Sequence, residues 1–156
     1  MRSAYQSFGA GAAVLWLLAA PLSAQEFRLG IGSPVATASP GNKKAFMAVR
    51  VEGCDQPGSA QVTATAEGLV NGARRSVPVT LRPADRPGAY AVLETWPNEG
   101  LWVLNFSASY RDLKAGALVP VEATGFRREP AKFYPRFATR DEVEILLKQM
   151  AAAARK

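Results

Sequence analysis

The sequence predicts an all-β fold: an antiparallel β-sandwich of about seven strands, followed by one C-terminal amphipathic helix. Three observations carry this. Short runs of alternating apolar and polar residues recur, at intervals of roughly 8–16 residues, from Glu26 to Ala123. The chain holds 13 glycines and 11 prolines, spread along it as turn punctuation rather than gathered in one tract. Helical periodicity appears once, after Thr139.

Residues 1–24 read as a cleaved secretory signal peptide. Arg2 gives a weak basic start, and Ala10–Ala20 is an apolar run too short to span a bilayer, which takes about 20 residues. Pro21-Leu22-Ser23-Ala24 then offers a small-residue cleavage site. The expected location is periplasmic or secreted, with residues 25–123 as the sandwich, 124–138 as an extended arm and 139–156 as the helix.

Glu26–Ile31 alternates Phe27, Leu29 and Ile31 as a first strand, and Gly32–Asn42 reads as a loop. Lys43–Glu52 sets Ala45, Met47, Val49 and Val51 on one face. Gly53–Gly58 turns. Ser59–Glu67 alternates Val62, Ala64 and Ala66 against threonines. Asn71-Gly72 is a hairpin signal inside a longer expected loop, Gly68–Ala73. Arg74–Leu81 reads as one strand with Val77, Val79 and Leu81 inward; Pro78 removes a ladder donor and places it on a sheet edge.

Pro87–Trp102 is the centre of the pattern. Pro87-Gly88 turns, Gly88–Trp96 alternates, Pro97-Asn98-Glu99-Gly100 reverses the chain, and Leu101–Tyr110 alternates again. The expectation is a hairpin whose aromatics, Trp96, Trp102 and Phe106, build the core. After a turn at Arg111–Gly116, Ala117–Ala123 is the last strand of the sandwich.

From Phe126 to Phe137 the chain mixes bases, aromatics and prolines, and an extended arm follows, since Pro130 and Pro135 forbid a regular helix. Thr139-Arg140-Asp141-Glu142 is a capping-box sequence. A helix from about Arg140 to Ala154 then carries Val143, Leu146, Leu147, Met150, Ala151 and Ala154 as one stripe.

Charge concentrates in the tail. Residues 25–126 hold ten Lys/Arg and nine Asp/Glu, a net of +1; residues 127–156 hold eight and four, a net of +4. On an exported protein such a tail suits an acidic protein face, an anionic membrane or a wall polymer, and not nucleic acid.

Several chemistries lack their residues. There is no histidine, so Ser-His and Cys-His nucleophiles are excluded. With one cysteine, and methionines at 47 and 150 beyond the initiator, no zinc or copper ligand set is visible. Asp55, Glu94 and Glu99 are not spaced as a calcium loop or as a catalytic carboxylate pair. Neither phosphate loops nor dinucleotide fingerprints occur. Cys54 has no internal disulfide partner and reads as a small hydrophobe at a strand end. No enzyme activity and no cofactor are expected.

The pattern P-G-x-Y…W-P-x-x-G-x-W-x-L-x-x-x-A comprises Pro87, Gly88, Tyr90, Trp96, Pro97, Gly100, Trp102, Leu104 and Ala108. It resembles the small bacterial exported immunoglobulin-like domains of the YtkA and FixH type, over about residues 40–123. The resemblance implies an immunoglobulin-like sandwich of the kind used beside metal-handling and membrane-assembly systems. Copper-handling relatives depend on His and Met ligands, which this chain lacks.

The functional expectation is an exported, non-enzymatic binding or assembly accessory. Its partner surface would be Arg127, Arg128, Lys132, Phe133, Tyr134 and Arg136 of the arm, with Leu146, Leu147 and Met150 of the helix. The partner would be a protein or a second copy docked on the helix. The alternative is a carbohydrate or wall-polymer module using the loops at one end of the sandwich, which exposure of Trp96 or Tyr110 would favour.

Overall fold

The computed structural model describes residues 26–34, 45–122 and 125–155. The signal-peptide assignment over residues 1–24 lies outside these, as does most of the expected loop Gly32–Asn42. Two antiparallel sheets face each other. The first holds β1 (Arg28–Gly32), β2 (Ala45–Glu52), β6 (Ala89–Leu93) and β5 (Thr80–Pro83), in the order β1-β2-β6-β5. The second runs β10-β8-β7-β3-β4, from β3 (Gln61–Val70), β4 (Ala73–Pro78), β7 (Leu101–Tyr110), β8 (Leu113–Glu122) and β10 (Lys132–Tyr134); β9 (Gly125–Phe126) also pairs with β8. In immunoglobulin lettering the sheets are A-B-E-D and G-F-C-C′, so the sandwich has immunoglobulin topology.

The core lies between the sheets. Met47, Val49, Val92, Leu104, Phe106 and Val119 are fully buried there, each from an alternating inward position. Burying apolar surface of this kind yields about 25 cal/mol per Å² and is the main force holding the two layers together.

The strand positions are largely those expected, but the pairings and bounds differ in four places, one being the expected turn Arg111–Gly116, which shrinks to Arg111-Asp112 because β8 begins at Leu113 and pairs it with Tyr110. Gly88–Trp96 and Leu101–Tyr110 do not form a hairpin. β6 pairs with β2 and β5, while β7 pairs with β3 and β8, so residues 94–100 carry the chain from one sheet to the other. The expected strand Arg74–Leu81 breaks at Val79 and also changes sheet, Pro78 ending β4 at an edge and Thr80 beginning β5. Val79 itself donates its amide to the Ala64 carbonyl at 3.0 Å. The expected loop Gly68–Ala73 shrinks to two residues, because β3 runs on to Val70 and pairs it with Ala73. Asn71 and Gly72 both take positive φ, 53° and 77°, the backbone of a tight hairpin that matches strand twist.

The helix α1 (Arg140–Ala153) begins where the capping box placed it. The Glu142 amide donates to the Thr139 hydroxyl at 3.3 Å, and the Thr139 amide donates to the Glu142 carboxylate at 2.7 Å. Its apolar stripe lies on the outer face of the second sheet. There Val143, Leu146 and Leu147 close over Val103 and Leu118, the outward-facing apolar residues of β7 and β8. An ion pair from Arg74 to Glu144, 2.7 Å, ties the helix to β4. No helix among the described residues is long and apolar enough to cross a membrane.

The arm is more ordered than an extended tail. β9 and β10 both lie along the free edge of β8, with Phe126 opposite Val121 and Phe133 opposite Ala117. Pro130 and Pro135 fall outside both short strands, where a missing amide costs no ladder bond. The arm then crosses β8 so closely that a Cβ on Gly116 would sit 2.5 Å from the Arg136 carbonyl oxygen.

Candidate functional site

The basic residues of the arm are spent mainly on the protein itself. Arg127 pairs with Glu122 at 3.5 Å and with Glu129 at 3.9 Å. Arg128 donates to the Ile31 carbonyl at 2.8 Å, joining the arm to β1 of the opposite sheet. Arg136 grips the Glu142 carboxylate with both guanidinium nitrogens, at 2.9 and 2.7 Å, and stacks over the Tyr134 ring with its carbon 5.0 Å from the centroid.

That grip sets the electrostatics. The Arg136 hydrogen bonds, then the bond from the Thr139 amide, pull the Glu142 carboxyl down to about 2. The same pairing pushes the Arg136 guanidinium up. Burial, with the Glu142 charge nearby, raises the Tyr134 phenol. Arg136, Tyr134 and Glu142 therefore form one clamp where the arm meets the helix.

The expected helix surface is not available to a partner. Leu146 and Leu147 are 5% and 0% exposed against the chain's own Val103 and Leu118, and Met150 is half-buried in the same cluster. The stripe packs within the domain, Leu146 and Leu147 fully and Met150 in part. Tyr134 is likewise half-buried on this inner side of the arm.

Lys132 and Phe133 remain outward. Phe133 is 48% exposed. Phe137, a few residues on, is 41% exposed with the Lys114 ammonium 5.3 Å above its ring. Leu113, at the start of the strand the arm pairs with, is also exposed. Lys114 escaped the sequence reading because only the fold brings it against Phe137.

A second feature is a cleft of about 740 Å³ at the end of the sandwich where residues 94–100 cross between sheets. Phe46 meets Trp96 edge-on with centroids 5.2 Å apart, and Phe126 lies 6.3 Å from Phe46 on the other side. Trp102 donates its indole N–H to the Glu99 carbonyl at 2.8 Å. Glu94 and Glu122 stand at the rim, both exposed. The 94–100 crossing is anchored by the Thr95 hydroxyl, which donates to the Pro78 carbonyl at 2.9 Å.

Trp96 and Tyr110 are both buried, so neither offers an exposed stacking platform. Tyr110 instead donates its hydroxyl to Asp55 at 2.6 Å. That bond, aided by Arg111, lowers the Asp55 carboxyl. Asp55 therefore sits at one end of β7 and Glu94 and Glu99 at the other, so the three carboxylates do not converge. Cys54 is half-buried beside Asp55, and burial pushes its thiol up, away from reactivity. Among the described residues no three His, Cys, Asp or Glu side chains gather as a metal ligand set.

No protein-family model, curated protein or solved structure matches this chain.

Proposed function

We propose that this chain is an exported, non-enzymatic accessory of the immunoglobulin-like type that docks a partner on the outer side of its arm. The observation that carries the reading is the pair Phe133 and Phe137, which stay exposed on a backbone that β8 and the Arg136–Glu142 clamp hold in place. Exposed aromatics on a fixed segment cost little ordering entropy when a partner covers them. Lys114, its ammonium 5.3 Å above the Phe137 ring, favours an acidic partner face.

Two further points support binding rather than turnover. The chain has no histidine. Its carboxyls with resolved shifts, Glu52, Asp55 and Glu142, are all held down, the wrong direction for a general acid near neutral pH. Export rests on the sequence of residues 1–24.

The test is cross-linking of the purified protein in an extract from its own source. Wild type and Ile145→Ser, an exposed helix position away from the arm, should capture the same partner. The double variant Phe133→Ser/Phe137→Ser should lose it while keeping its melting temperature. Equal capture by all three proteins, or by none, rejects the reading.

A further inference from the structure

We infer that the free edge of β4 is a docking site for an extended acidic segment of a partner protein, which adds to the second sheet as a further strand. This edge lies on the opposite side of the sheet from the arm and is independent of it. Two observations carry the inference: where β4 points its backbone, and the charge left over beside it.

The backbone comes first. β3 and β4 are joined by the two-residue turn Asn71-Gly72, with Val70 facing Ala73 across it. In such a hairpin the pair flanking the turn shares ladder bonds, and bonded pairs then alternate. Arg75 and Val77 therefore spend their amides and carbonyls on β3, while Arg74 and Ser76 turn theirs outward. The Pro78 carbonyl has the same parity as Ser76, and it accepts from the Thr95 hydroxyl, as this count requires. β4 is the last strand of its sheet, and among the described residues no backbone group of another element meets Arg74 or Ser76. An antiparallel strand laid there gains two backbone bonds at each of these residues. Pro78, which has no amide, and the turn at the other end set its limits.

Charge selects the partner. Arg74 is held by Glu67 at 3.4 Å and by Glu144 at 2.7 Å, and Glu67 also accepts from the Ser76 hydroxyl at 2.8 Å. Both carboxylates are thus spent. Arg75 and Arg140 are exposed and pair with no carboxylate among the described residues. Both line a hollow of about 430 Å³ between β4 and the first turn of α1, and every residue of that lining lies on a described strand or on the helix. A strand added to β4 sets one side chain directly opposite Arg75, where an acidic residue is favoured and a basic one opposed. The same rule disfavours a second copy of the chain. Pairing β4 with its own copy so that Arg74 and Ser76 both bond sets Arg75 against Arg75. The edge is guarded against itself yet open to an acidic strand.

The test is isothermal titration calorimetry of the purified protein with two short blocked peptides, one alternating threonine with glutamate and one alternating threonine with lysine. The acidic peptide is expected to saturate, with the basic one weaker by about fivefold or more. Ser76→Pro removes an outward amide and should abolish binding, while Ser76→Ala, which loses the same hydroxyl, should keep it. The Ser76 amide makes no ladder bond to β3, so both variants should fold. Arg75→Glu should reverse the preference, so that the basic peptide saturates and the acidic one does not, a gain that a misfolded chain does not produce. Equal binding of the two peptides by wild type, or no saturation by the acidic one, overturns the inference. Undiminished binding by Ser76→Pro overturns it too, since the arginines would then hold the peptide by charge alone. A wild-type dimer in light scattering that Ser76→Pro dissolves would make a second copy the occupant, and likewise overturns it.

Discussion

The indole of Trp102 lies across the backbone of Gly68, its cross-strand partner on β3. A Cβ built on Gly68 would stand 2.6 and 2.7 Å from two carbons of the ring. The ring cannot swing aside, because its N–H is bonded to Glu99 and its body is buried. Gly68→Ala should therefore cost about 1–3 kcal/mol by overpacking, although its backbone needs no special φ. Urea unfolding followed by tryptophan fluorescence measures this. An unchanged midpoint would show that the indole is free to move.

The helix should behave as part of the domain. Leu147 is wholly buried between α1 and the outer sheet face, so Leu147→Ala should destabilise by about 2–5 kcal/mol, the range for a deleted core leucine. Ile145→Ser, on the exposed side of the same turn, should change stability by no more than about 0.5 kcal/mol. Thermal unfolding of both variants distinguishes a packed helix from an appended one. Equal effects would contradict the packing described above.

Acid should loosen the clamp between arm and helix. The Glu142 carboxyl is lowered from 4.5 to about 2 in the folded chain. A depressed carboxyl binds fewer protons folded than unfolded, so its stabilisation is complete above pH 4.5 and is lost as pH falls toward 2. Glu142→Gln should lower stability at neutral pH and flatten the pH dependence in that window, the two curves converging near the acid end. Urea midpoints between pH 2 and 6 measure it. Parallel curves would mean that Glu142 contributes nothing pH-dependent.

The arm should be separable from the sandwich by a single methyl. At Gly116 a Cβ would meet the Arg136 carbonyl oxygen at 2.5 Å and the Ala138 nitrogen at 2.9 Å, both backbone atoms that cannot rotate away. Gly116→Ala should lift the chain off β8 there. Hydrogen exchange should then speed up at residues 132–138 and stay slow in β2 and β7. Uniformly unchanged protection would show that the crossing has slack.

Much of this architecture could be read from residue order alone, for identifiable reasons. Alternation in Met47-Val49-Val51 and in Trp102-Leu104-Phe106 marks the inward face whichever strand lies alongside. For the same reason alternation does not reveal partners. Val77, Val79 and Leu81 keep pointing inward while the backbone changes sheet, because the two sheets share one core, and so one strand was expected where two exist. Pro97, Asn98 and Gly100 mark a break between strands, but a reversal within a sheet and a crossing between sheets use the same residues. Thr139 and Glu142 placed the helix start correctly because capping is local. The periodicity of Leu146 and Leu147 announces a buried stripe without saying whose surface buries it. In the arm, charge was visible but its use was not: Arg127, Arg128 and Arg136 meet partners, some of them distant in sequence, that only the fold brings near. The cleft was missed because Phe46, Trp96 and Phe126 come from three separate segments.

The placement of the arm has a consequence for the integrity of the chain. Residues 125–134 are the guard on the flank of β8, a strand ten residues long and otherwise apolar on both sides. Loss of that guard would bare a row of amides and carbonyls along the flank of β8, an invitation for another strand to add itself.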